Sequence, residues 1–186
     1  MLLIGDVHGK HDQYLEIIDT HHESIQLGDF GFNYDCCRPN HMILGGNHDN
    51  YDLLPSHPNN LGDYGTYRGI FFIRGAQSID RSARIEGQSW WRNEELSYIQ
   101  LSQCINLYSK VRPKIVISHT CPKFLMTHLG GRADWGSRTE IAMAQMYSIH
   151  PPQIWIFGHF HRSKSIMIGI TKFVCLNELE QFQLPL

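Results

Sequence analysis

Met1-Leu2-Leu3-Ile4-Gly5-Asp6-Val7-His8-Gly9 is the stretch that decides how this chain folds. An apolar run from Leu2 to Ile4 stops at Gly5 and gives way at once to Asp6 and His8. A run this short, ended by glycine, reads as a buried strand rather than a helix. From His11 to Asp19, Tyr14, Leu15, Ile17 and Ile18 recur at helical spacing, so a helix follows. The unit then repeats. Ser24 to Leu27 ends at Gly28 and Asp29, and Met42 to Leu44 ends at Gly45, Gly46 and Asn47. A strand, a glycine and a polar residue in this rhythm predict an α/β protein.

Further along, Tyr67 to Ile73 reads as one strand and Glu94 to Tyr108 as a helix. Ile115 to Ile117 is a strand, Arg138 to Tyr147 a helix, and Ile154 to Phe157 a strand stopped by Gly158. Ser165 to Ile170 and Lys172 to Leu176 are expected to pair antiparallel across Gly169 to Thr171. The segment from Glu178 carries weaker signals and either covers a sheet edge or frays. No repeat or composition break interrupts the 186 residues, so 1–186 is expected to be one domain.

Composition narrows the function. With 42% hydrophobic and 18% charged residues the chain is globular rather than disordered. A net charge of −2 argues against a broad cationic surface for nucleic-acid backbone. No run approaches the ~18 apolar residues of a membrane span, and the first residues lack the basic head and long apolar core of a secretory leader. Five cysteines include no C-x-x-C pair, and reduced thiols in the cytoplasm are the expectation. The figure that calls for explanation is twelve histidines.

Several of them stand just beyond strand ends, among other metal donors: Asp6 and His8, Asp29, Asn47 and His48, His119, and His159 and His161. Asp6/His8 and His159/His161 are spaced two apart, so in extended backbone each pair faces one side. Open α/β sheets bind ligands at the carboxyl ends of their strands, where all these groups fall. Glycine beside Asp6, His8, Asp29, Asn47 and His159 lets the backbone turn sharply and come close to an ion or phosphate. Setting His48 aside, two carboxylates, one amide oxygen and four imidazoles exceed what one tetrahedral zinc can use. They suit two divalent ions about 3.5–4 Å apart. Mixed nitrogen and oxygen donors favour manganese first, with iron, zinc, nickel or cobalt as alternatives, over calcium. Spacing does not say which residue bridges.

The motifs Asp6-Val7-His8, Gly28-Asp29, Gly45-Gly46-Asn47-His48-Asp49, His119 and Gly158-His159-Phe160-His161 resemble, in order, those of the calcineurin-like metallophosphoesterases. The resemblance implies a two-sheet β-sandwich flanked by helices. It implies one ion on Asp6, His8, Asp29 and His161, and a second on Asn47, His119, His159 and a bridging Asp29. It gives His48 a catalytic place over the substrate phosphate, as a cation and general acid, with Asp49 orienting its ring. It also implies that a water or hydroxide bridging the ions attacks phosphorus.

The substrate is less well marked. The protein Ser/Thr phosphatase branch follows its GD with a segment ending D-R-G and carries GNHE. Here the segment is GDFGFNYD and the later motif GNHD, so an arginine for phosphomonoesters is missing from its usual place. GHFH is closer to the branches that cleave phosphodiesters. The expected partner is a small phosphoester substrate, with a nucleotide and a single-stranded nucleic acid among the candidates. Arg81, Arg84, His128 and Arg132 are the substrate-contact candidates, and Trp90 and Trp91 are read as core. A monoesterase and a metal-binding interaction scaffold remain the alternatives, and oligomeric state is open.

Overall fold

The structure is a computed structural model describing residues 1–130 and 136–185. Strands β1 (Leu2–Ile4), β2 (Ser24–Gln26) and β3 (His41–Ile43) run parallel. Helix α1 (His11–Ile18) connects the first two. The second sheet holds β4 (Tyr64–Tyr67), β5 (Ile70–Ile73), β6 (Ile115–Ser118), β7 (Ile154–Phe157), β8 (Lys164–Ile168) and β9 (Thr171–Cys175). Helices α2 (Tyr98–Val111) and α3 (Arg138–Ile149) are its crossovers. The last strand, β10 (Gln181–Gln183), pairs antiparallel with β1. The sheet orders are β10-β1-β2-β3 and β4-β5-β6-β7-β9-β8.

Alternation along the strands builds the layers. Leu3, Ile25 and Leu27 of the first sheet share one buried cluster with Ile70, Phe72, Ile117, Ile156 and Val174 of the second. The alternate residues Phe71, Ile73, Trp155 and Phe157 turn the other way and pack with Leu101, Cys104 and Tyr108 of α2 and Met143 and Met146 of α3. Leu2, Ile4 and Ile43 do the same against Tyr14 and Ile18 of α1. The result is a helix–sheet–sheet–helix sandwich, as the sequence led us to expect.

Two expectations change. Tyr67 to Ile73 is not one strand but the end of a hairpin, β4 and β5, with Tyr67 opposite Ile70. Arg68 and Gly69 both have positive φ, the geometry a two-residue hairpin turn requires. Helix α2 starts at Tyr98, not Glu94, because Ser97 caps it in a capping box with Gln100. Glu94 and Glu95 are instead buried carboxylates outside that helix. Of the two courses open to the chain beyond Glu178, it takes the first: it supplies β10, which covers the edge of β1.

β1, β2 and β3 are mutually parallel, as are β5, β6, β7 and β9, so the carboxyl ends of each set open on one side of its sheet. All five cysteines are free thiols. No helix among the described residues is long and apolar enough to cross a membrane.

Candidate functional site

The residues that follow β1, β2, β3, β6 and β7 converge. Among the described residues, two groups of side chains bring their donor atoms within 4.8 Å of one another: Asp6, His8, Asp29 and His161, and Asp29, His119 and His159. Asp29 belongs to both. In the first group the Nε2 atoms of His8 and His161 are 2.8 Å apart. His161 Nε2 is 3.3 Å from Asp6 Oδ2, and His8 Nε2 is 3.7 Å from Asp29 Oδ2. In the second, His119 Nε2 lies 3.2 Å from Asp29 Oδ1, 3.2 Å from His159 Nδ1 and 3.0 Å from Asn47 Oδ1. Asn47 thus joins the second group.

The backbone is bent to achieve this. His8, Asp29, His159 and His161 all have positive φ, between 48° and 68°. Such non-glycine residues are strained and cluster at functional sites. Close approach is the second device. A Cβ on Gly158 would run into Asp6 Oδ1, and one on Gly46 into the amide nitrogen and carboxylate of Asp29.

The outer face of each donor is held. Asp6 accepts the His159 N–H at 2.9–3.0 Å, and Asp29 Oδ1 accepts the His48 N–H at 2.7 Å. His119 turns Nδ1 to the Leu27 carbonyl at 2.8 Å, which leaves Nε2 for the centre. The Asn47 amide donates to Ser78 Oγ at 3.2 Å, and Ser78 Oγ donates to Glu94 Oε2 at 2.6 Å. Ser78 and Glu94 therefore orient Asn47, and nothing in their local sequence marks them.

Charge follows from these contacts. Burial opposes ionisation of Asp29, but His119 beside it holds the carboxyl well below the usual carboxylate range. Burial likewise opposes the imidazolium of His119, and Asp29 outweighs it, lifting His119 to about 9. Burial and then His119 push His159 down to about 3, leaving a neutral ring. Two carboxylates this buried need cationic partners. Oxygen and nitrogen donors without a thiolate, converging in two groups that share a carboxylate, fit a pair of divalent ions.

The two residues expected to be catalytic separate. His48 is half-buried and lines a cavity of about 540 Å³ together with Asp29, Asn47, His159 and His161. Its Nε2 is 3.4 Å from Arg84 Nη2. Burial, and then the guanidinium, push its pKa below the ordinary value against the pull of Asp29. Arg84 carries a permanent charge beside it. The expected role of Asp49 is corrected. Its oxygens accept from the N–H groups of Asp29, Phe30, Gly31 and Gly46 and from Tyr34 OH, at 2.7–3.2 Å. With its acceptor sites taken by these donors, it clamps the Asp29 and Asn47 loops instead of orienting the His48 ring.

Of the substrate-contact candidates, Arg84 reaches the site through His48. Arg81 is exposed and does not line the cavity. His128 is exposed, and its carbonyl accepts from Lys164 at 2.5 Å. Arg132 lies outside the described residues. The cavity walls instead present Ile79, Met126, Leu129 and Phe160, with Arg162 at the rim. Arg162 directly follows the GHFH motif, the one signal that could have found it. Trp91 is buried, as expected of core, and its indole donates to Asp52 at 2.7 Å. A larger cavity of about 780 Å³ lies around Asp63, Arg74, Glu95 and Arg138. It contains none of the donors, and Arg74 there is tied to Asp63, so size alone does not locate the site.

A sandwich with two donor groups sharing a carboxylate at its strand ends is a scaffold for a pair of metal ions. The chain matches the sequence model of the calcineurin-like phosphoesterases over residues 1–163 and belongs to that family. The crystal structure of TT1561 of Thermus thermophilus is similar at a TM-score of 0.52, with 12% identity, covering 96% of this chain and 89% of that one. At that identity the likeness is one of fold. No curated protein matches the chain.

Proposed function

We propose that this chain hydrolyses phosphoesters with two divalent ions, manganese foremost, and prefers phosphodiesters. The observation that carries the reading is Asp29, common to both donor groups and facing the cavity beside His48. Asp6, His8, Asp29 and His161 hold one ion. Asp29, Asn47, His119 and His159 hold the other. When bound, the ions supply Lewis acidity and a water of lowered pKa.

The chain's own groups do the rest. His48 faces the substrate phosphate, and an anion arriving there offsets the charge of Arg84 and favours the imidazolium. His48 then holds a proton at Nε2 for the leaving oxygen. Arg84, fixed by Asp80 at 2.8 Å, stands 3.4 Å from that same Nε2, and it turns to the arriving anion as the nitrogen takes its proton. The apolar walls suit an ester with an organic group on each side of phosphorus. A small nucleotide or a single strand fits such a cleft better than a duplex. We read 1–186 as one domain, and its free thiols support a cytoplasmic setting.

The second reading is a monoesterase. It draws on Arg84 and Arg162, whose charges would favour a dianionic phosphate. Metal analysis combined with hydrolysis of bis-p-nitrophenyl phosphate and p-nitrophenyl phosphate in manganese tests both. Two ions per chain and faster diester turnover, abolished by chelation, is the expected result. Faster monoester turnover selects the second reading. Two bound ions with neither ester cleaved leaves a scaffold.

A further inference from the structure

The chain beyond residue 163, outside the family match, returns to the centre. After β9, the segment from Leu176 to Glu180 is stitched to two of the loops that carry donors. Leu176 N–H donates to Phe157 O at 2.8 Å, Leu179 N–H to Asp6 O at 3.0 Å, and Gly5 N–H to Glu180 O at 2.9 Å. The fit is close: a Cβ on Gly5 would meet the Asn177 carbonyl. Glu180 Oε2 accepts from Ser163 Oγ at 2.6 Å and from Asn177 N–H at 2.7 Å, closing the turn on itself.

Glu178 stands on that turn. Its Oε1 lies 3.3 Å from His161 Nδ1, and its Oε2 is ion-paired with Lys10. His161 has particular need of such a partner. Its side chain is 45% exposed, whereas that of His119 is fully buried with Nδ1 on a carbonyl. An imidazole that presents one nitrogen to an ion is aimed by what its other N–H donates to. On an exposed ring, packing cannot do the same.

We propose that Glu178 is a positioning residue, its carboxylate drawing the Nδ1 edge of His161 so that Nε2 stays on the ion held with Asp6, His8 and Asp29, while Lys10 fixes the carboxylate in turn. The inference rests on the two-ion reading above. The pair is too exposed to matter much for folding. Its loss should therefore appear in metal binding and not in the stability of the metal-free chain.

The test is calorimetric titration of manganese into metal-free wild type, Glu178→Ala and Glu178→Gln, with the metal-free Tm of each. The expected result is two ions on the wild type. In Glu178→Ala one binding step is weaker by about 10–100-fold, the other step is unchanged, and Tm is unchanged. Glu178→Gln keeps an acceptor at the same place and shifts that step less. An Ala variant that titrates like wild type overturns the proposal. So does one that loses both steps together with a fall in metal-free Tm, which marks a merely structural contact. A wild type holding fewer than two ions removes the centre and this inference with it, a result distinct from an intact centre insensitive to Glu178.

Discussion

Asp49 accepts from four backbone N–H groups and one phenol, and all but the half-buried Gly31 amide are shut away from water if the carboxylate goes. Each stranded buried donor costs about 1–3 kcal/mol. Asp49→Ala is therefore expected to lower stability by about 3 kcal/mol or more, read from urea denaturation. His48 makes the opposite case. Its ring hangs into the cavity, so His48→Ala should leave both ions bound by elemental analysis while kcat falls by about 10²–10⁴-fold. Turnover that survives the substitution would remove His48 from the chemistry. His119 carries a pH signature. Its pKa of about 9 in the metal-free fold lies above the ordinary 6.5. The stabilisation from its pairing with Asp29 is thus fully present below pH 6.5 and is lost as pH rises through about 9. At pH 7 the ring holds a proton that an ion must displace. Manganese binding should release protons, and its affinity should rise with pH toward that value, which titrations in buffers of different ionisation enthalpy will show.

At the scale of elements, the strands were legible, but of their pairings only the antiparallel β8–β9 hairpin was. Leu2–Ile4, Ser24–Gln26 and Ile154–Phe157 lie where apolar runs stop at glycine. The hairpin at Arg68 and Gly69 was hidden because Arg-Gly is a weak turn signal beside Asn-Gly. The true start of α2 was written in Ser97 and Gln100, three residues apart, and the cap outweighs the apolar pattern before it. Ser97→Ala is expected to cost about 1 kcal/mol, measured by thermal or urea unfolding, with no effect on metal content. The brief strand β10 has little pattern of its own. It forms because the open edge of β1 offers it hydrogen-bond partners.

The whole molecule gathers imidazoles and carboxylates from both sheets into one place, and an ion that binds only the folded chain must stabilise it. Manganese at about 100 times its Kd should add about 2.7 kcal/mol of stability. A rise in Tm that chelation reverses is the expected reading, and a Tm indifferent to manganese would count against the centre. The sequence by itself determined the α/β class and the donor set, and the two-sheet sandwich only through the family resemblance. Strand period, glycine stops and the residues after them are local features, and backbone geometry makes each donor face the strand ends. Only the tertiary structure decided what surrounds those donors. His8 meets His161 across 153 residues, His48 meets Arg84 across 36, and Asn47 meets Ser78 across 31. Asp49 became a clamp, Arg84 the standing charge and Glu178 a neighbour of the centre. These contacts are set by the order in which strands assemble into two sheets, and no spacing along the chain encodes it.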